Sequence, residues 1–248
     1  LDEAGCTQPG FRLLEIGCGY GRLLQLASER GARAVGVNVS AEQVKYCREH
    51  GLQVHCCTYR DLLDSRAWQG RFDGVIANGS MALARTEKAK LAQAELDALA
   101  ILAADESLEE VTTWGINTTH DLLQIAKQGL AAAVAEAEGD LAAAERHLRR
   151  AVELEDDLNY DEPPSWFIPP RQQLGAALLK AGEPAGAEAT YREELGIYPD
   201  NGWSLFGLQL ALKAQGKTEA AAEAKRRFDK AWANADITLA SSWEVRLD

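Results

Sequence analysis

A change of period near residue 82 constrains this chain more than any other feature. Before it, short apolar runs alternate with helical segments. After it, apolar spacing is helical, alanine is dense, and no proline occurs between residues 83 and 162. Strands bury one face at a period of two and helices a stripe at 3.6, so one layer cannot serve both halves. The fold class read here is α/β plus all-α, with residues 1–82 as one domain and residues 83–248 as the other.

The first half alternates regularly. Residues 11–16 read as a strand, and Arg22–Arg30 as a helix ended by Gly31. Ala34–Val39 reads as a buried strand, and Ser40 is a good N-cap for a helix over Ala41–His50 that Gly51 ends. Leu52–Thr58, Asp61–Trp68 and Phe72–Ala77 continue as strand, helix and strand. This order implies four parallel strands joined by crossover helices. In the second half, helices are predicted near 83–104, 118–137, 140–155, 170–181, 184–196, 203–215 and 217–234. A Pro-rich insertion at 160–170 interrupts them.

Charge and cysteine follow the same boundary. Residues 1–82 hold nine basic and nine acidic side chains, so the whole formal net charge of −12 lies in residues 83–248. An acidic helical surface repels phosphate backbones, which argues against a nucleic-acid partner. All five cysteines lie in the first 57 residues, without CxxC spacing, as expected of reduced thiols in a cytoplasmic protein. No metal site is expected, because adjacent Cys56 and Cys57 are poorly placed to hold one ion. No run approaches the ~20 apolar residues of a membrane helix.

The chemistry lies in Glu15-Ile16-Gly17-Cys18-Gly19-Tyr20-Gly21, placed between a strand and a helix. The chain must turn sharply there, and a ligand must approach the backbone with no side chain between. The spacing is GxGxG, not the GxGxxG of dinucleotide binders. This segment resembles the first motif of class I methyltransferases that use S-adenosylmethionine (SAM). With Gly36-Val37-Asn38-Val39-Ser40 and Glu42-Gln43, and with Tyr59-Arg60-Asp61-Leu62 further on, it resembles the cyclopropane-fatty-acid synthase branch. The resemblance implies a partial Rossmann-like sheet in the order 3-2-1-4. It implies SAM as cofactor, with Glu15, Gly17, Cys18, Gly19 and Gly21 at the methionine end and loop. Asn38 and Gln43 would meet the ribose, Thr58 and Tyr59 the adenine, and Ala77 and Asn78 the methionine portion. The branch's Glu-His pair is missing after Met81, so the likeness is read as ending there, with no catalytic residue assigned. An uncovered fourth strand is then a route to self-association.

The second half carries a repeat. Gly182 and Gly216 stand 34 residues apart. Leu174-Gly175, Leu178, Ala187, Tyr191 and Pro199 fill one unit, and Trp203, Phe206, Gly207 and Leu210 open the next. This pattern resembles tetratricopeptide (TPR) repeats, which implies a scaffold that binds a peptide along the first helix of each pair. Asn117, His120, Arg171, Gln172 and Trp203 lie on or near such helices, and Trp166 and Phe167 read as a plug over the repeat core.

Together these readings describe a SAM-binding, methyltransferase-like segment fused to a TPR interaction scaffold, with catalysis absent or impaired. Two alternatives stand beside it: a working methyltransferase acting with a partner, and a scaffold carrying a relic N-terminal segment.

Overall fold

The structure is a computed structural model. It describes residues 10–38, 40–57, 74–76, 89–113, 115–162, 164–166, 168–235 and 237–244.

Strands β1 (Arg12–Ile16), β2 (Arg33–Asn38), β3 (Gln53–Cys56) and β4 (Gly74–Ile76) form one sheet in the order β3-β2-β1-β4. Every pairing is parallel, with Leu14 opposite Val35 and Val75, and Val37 opposite His55. Parallel neighbours cannot be joined by a hairpin. Helix α1 (Arg22–Glu29) lies between β1 and β2 in the chain, and α2 (Ala41–Glu49) between β2 and β3. Leu13, Leu24, Ala27, Val44, Cys47 and Val54 are buried together, with Phe11 and Leu52 packed against them. Strand order and these helices follow the sequence reading. The helix expected over 61–68 lies outside the described residues.

Helix α3 (Ala89–Leu102), a 3-10 turn (Glu106–Glu109) and a hairpin of β5 (Thr112–Thr113) with β6 (Asn117–Thr118) follow. Among the described residues six helices come next: α4 (Thr119–Ala137), α5 (Leu141–Asp156), α6 (Pro170–Lys180), α7 (Pro184–Ile197), α8 (Gly202–Ala214) and α9 (Thr218–Ala231). Among the described residues no helix is long and apolar enough to cross a membrane.

The chain divides into two compact units. One is Leu1–Leu123 with Asn159–Phe167, and the other is Gln124–Leu158 with Ile168–Asp248. The boundary read at 82/83 lies outside the described residues. Trp166, read with Phe167 as a plug over the repeat core, falls instead in the first unit. The tie there is Asn117, whose side-chain amide donates to Asn159 O at 2.9 Å while its Oδ1 accepts from Asn159 N at 2.8 Å.

The helical unit is a stack of neighbours: α5 on α6, α6 on α7, α7 on α8 and α8 on α9. Its turns are alike. After α6, Gly182 has φ 81 and Glu183 N donates to Leu178 O; after α8, Gly216 has φ 71 and Lys217 N donates to Leu212 O. Both are left-handed helix stops in which a backbone N–H beyond the glycine returns to a carbonyl of the last turn. Tyr191 is the centre of this core. A Cβ added at either Gly175 or Gly207 would overlap its ring, so α6 and α8 approach it only because both positions lack one.

Candidate functional site

Strand β1 delivers Glu15 to the end of the sheet. Leu13 and Glu15 share one face, because side chains alternate along a strand, and both are buried. Burial lifts the Glu15 carboxyl to about 7, and its Oε2 has no hydrogen-bond partner among the described residues. A buried carboxylate oxygen without a donor is unstable unless it is protonated or meets a cation.

The loop beyond Glu15 turns on three glycines in the left-handed region, with φ 70 at Gly17, 53 at Gly19 and 74 at Gly21. Gly17 N and Cys18 N both donate to Val37 O, at 2.9 and 3.2 Å, which ties the loop to β2. The glycines do different work. A Cβ at Gly21 would overlap Leu52 and lie 3.0 Å from Cys47 Sγ, so that position serves packing. A Cβ at Gly19 would meet nothing within 4 Å, so the space over it is open to a ligand.

The apex carbonyl of this loop is held from two elements. Gly19 O accepts from Asn38 Nδ2 at 3.3 Å and from the Cys47 thiol at 3.5 Å. Asn38 Nδ2 also donates to Gln43 Oε1 at 2.8 Å, and Ser40 caps α2 by accepting from Gln43 N. Burial pushes the Cys18 thiol up to about 12, helped by Cys47 and the Glu15 charge, and burial raises Cys47 too. Both therefore stay protonated at neutral pH, and Cys47 can donate.

The structure thus gathers Glu15, Gly17, Cys18, Gly19, Gly21, Asn38 and Gln43 around one strand-to-helix turn. Thr58, Tyr59, Ala77 and Asn78 lie outside the described residues. Sequence reasoning missed Cys47 and Gly36. Cys47 was legible only as an apolar position three residues after Val44. A Cβ at Gly36 would lie 2.7 Å from Cys18 Sγ and 2.5 Å from Leu24 Cδ1, so this glycine lets α1 and the loop sit close on β2.

The arrangement offers a carboxylate for a cationic group, open backbone for a nucleotide, and the Gln43 amide in the first turn of the helix that follows the second strand. Residues 13–100 match the methyltransferase domain family. S-adenosylmethionine is the methyl donor that this domain implies. The chain is 39% identical over 80 residues to a probable fatty acid methyltransferase of Mycobacterium tuberculosis, covering 29% of this chain and 18% of that protein. It is 42% identical over 77 residues to the cyclopropane-fatty-acyl-phospholipid synthase of Escherichia coli, covering 29% and 19%. It is 30% identical over 111 residues to a ubiquinone biosynthesis O-methyltransferase of Hahella chejuensis, covering 45% and 37%. The chain thus spans about a fifth of the first two relatives and about a third of the last. No solved structure matches it. The sequence reading ended the likeness at Met81 and inferred impaired catalysis from that. The general family match runs from residue 13 through residue 100, and the alignments with the two fatty-acid relatives cover 80 and 77 residues.

Of the five residues read on or near the first helices of the repeats, three are buried and two are half-buried. Asn117, Arg171 and Gln172 are buried. Arg171 pairs with Asp156 at 2.6 Å and Glu155 at 3.3 Å. Trp203 sets its edge against Trp232 at a centroid distance of 5.6 Å. His120 is half-buried, and Phe167 lies outside the described residues.

Proposed function

We propose that the first unit binds S-adenosylmethionine at the Gly17–Gly21 loop and presents it for methyl transfer, and that the helical unit is a TPR-like scaffold for a polypeptide partner. The observation that carries the first part is the buried Glu15 carboxylate, its Oε2 unpartnered among the described residues, beside an open glycine loop. The methionine end of SAM carries an ammonium group, which supplies the missing donors to that oxygen. When bound, SAM provides an electrophilic methyl group. The chain's own residues bind it: Glu15 at the amino-acid end, Gly17 and Gly19 at the backbone approach, and Gln43 at the ribose. Thr58, Tyr59, Ala77 and Asn78 complete this reading by resemblance. No acceptor chemistry is assigned to any residue.

Calorimetric titration of the full chain with SAM tests this, beside E15Q and G19V. Saturable one-site binding by the unmodified chain, weakened in both variants, supports the reading. No binding by the unmodified chain at millimolar SAM sinks it.

The scaffold reading is supported by the 34-residue step between Gly182 and Gly216, the matching turns, and Tyr191 between two glycines. Pull-down from a lysate with the full chain, followed by competition with synthetic peptides of whatever is captured, tests it. Capture that no linear peptide competes argues against a peptide groove.

A further inference from the structure

The end of β2 is where the resemblance implies a ribose contact, and this chain has an amide there. Both hydrogens of that amide are engaged within the chain. Asn38 Nδ2 donates to Gly19 O at 3.3 Å and to Gln43 Oε1 at 2.8 Å. Its Oδ1 accepts from Ser40 N at 3.1 Å, and the residue is 7% exposed. A primary amide has two donor hydrogens, so Asn38 has none for a ligand.

We propose that Asn38 is a positioning residue: it clamps the apex of the glycine loop and orients the Gln43 amide so that Nε2, a donor, is the group offered to the ribose hydroxyls. The orientation follows from polarity. Gln43 Oε1 is taken by Asn38 Nδ2, and the other end of the same planar amide is a nitrogen. The clamp is cooperative with α2, since Ser40 accepts from Gln43 N and Cys47 donates to the same Gly19 O. The role of Gln43 in this proposal rests on the SAM reading above. The clamp on the loop does not.

A carboxylate at position 38 could not do this work. It has no hydrogens for Gly19 O or for Gln43 Oε1. It would draw Gln43 Nε2 inward and leave Oε1, an acceptor, facing the ligand. Aspartate has nearly the shape of asparagine, so Asn38→Asp separates hydrogen-bond donation from packing. It also separates this proposal from direct ribose binding, because a carboxylate at the end of the second strand accepts well from ribose hydroxyls.

The test combines two measurements on the full chain. SAM affinity is measured for N38D, N38A, Q43A and N38A/Q43A, and hydrogen exchange over residues 17–26 is measured without ligand. The expectation is that N38D weakens SAM binding about tenfold. N38A should cost less in the Q43A background than alone, because the two act as a unit. N38D should also speed exchange of the ligand-free loop. An N38D chain that binds SAM as tightly as the unmodified one overturns the proposal, because residue 38 then reads the ribose itself. Additive losses in N38A and Q43A overturn the orientation. Unchanged loop exchange in N38D overturns the clamp, whatever SAM does. Faster exchange in a chain that never binds SAM supports the clamp and sinks the SAM reading.

Discussion

The Tyr191 hydroxyl lies 2.6 Å from Ser242 Oγ, and the ring reaches it through the gap left by Gly175 and Gly207. Ser242 Oγ donates onward to Gln172 O at 2.9 Å. One side chain thus joins α6, α7 and α8 to the segment that follows α9, and all of these contacts are buried. Two consequences differ in size. Tyr191→Phe keeps the ring and removes one buried hydrogen bond, for a loss of about 1 kcal/mol. Gly207→Ala drives a methyl group into a ring with Gly175 on its other side, for a loss of about 1–3 kcal/mol. Urea unfolding of the two variants checks the order; a Gly207→Ala chain as stable as the parent would mean that the ring has room to move.

Carboxylates in the helical unit tie its stability to pH. Burial and the neighbouring Glu194 charge lift Glu155 to about 8, although Arg171 beside it acts in the opposite direction. Burial lifts Glu194 to about 7. Groups with raised folded values favour the folded state when protonated, so their contribution is complete below about 4.5, the unfolded value, and is lost as pH rises through 7 to 8. Glu188 runs the other way. Lys217 at 2.6 Å holds it down to about 2, so its contribution is present above about 4.5 and disappears toward pH 2. The melting temperature is expected to fall between pH 5 and about pH 8.5, and less steeply in Glu194→Gln. An equally steep fall in Glu194→Gln would exclude Glu194 as a source.

Glu15 gives the SAM site its own pH dependence. Its carboxyl titrates at about 7, so the ligand-free fold is strained by ionisation above that value. SAM affinity is expected to rise from pH 6 to pH 8, as Glu15 ionises and attracts the ligand's ammonium group. Glu15→Gln should flatten this rise and raise the ligand-free melting temperature at pH 8. Thermal melts and titrations at the two pH values give both answers. A steep rise retained in Glu15→Gln would move the ligand's ammonium group elsewhere.

Gly19 and Gly21 should separate under substitution. Gly21→Ala meets Leu52 and Cys47 at φ 74 and should cost about 1–3 kcal/mol of stability. Gly19→Ala meets nothing, so its backbone strain at φ 53 should cost about 1 kcal/mol while SAM affinity drops. Chemical unfolding and SAM titration of both variants provide the comparison. Equal stability losses would mean that Gly19 also packs.

Hydrophobic period and turn residues placed the four strands of the sheet and most described helices within a residue or two, because they report local burial and local backbone needs; the short β5–β6 pair and the 3-10 turn carry no such period and were not read. The glycine loop was legible for the same reason: three glycines between a strand and a helix leave few conformations. Asn38 and Gln43 were named as site residues from their place after β2. Their division of labour was invisible there, because it depends on Gly19, which is 19 residues from Asn38 in the chain. Spacing placed Asn117, Arg171 and Trp203 on or near the first helices of the repeats without saying what they touch. Their partners Asn159, Asp156 and Trp232 lie 15 to 42 residues away, and only packing brings them together.

The sequence by itself determined the parallel strands of the sheet, the turn at the glycine loop and the run of helices that follows. These follow from spacing along the chain, whereas the strand order came with the family resemblance. Tertiary structure alone decided which polar groups are available. It left Glu15 Oε2 without a donor among the described residues, closed Asn38 onto the loop, and buried Asn117, Arg171 and Gln172. The physical reason is that a hydrogen bond between distant residues settles whether a polar atom is satisfied, and no local period records that pairing.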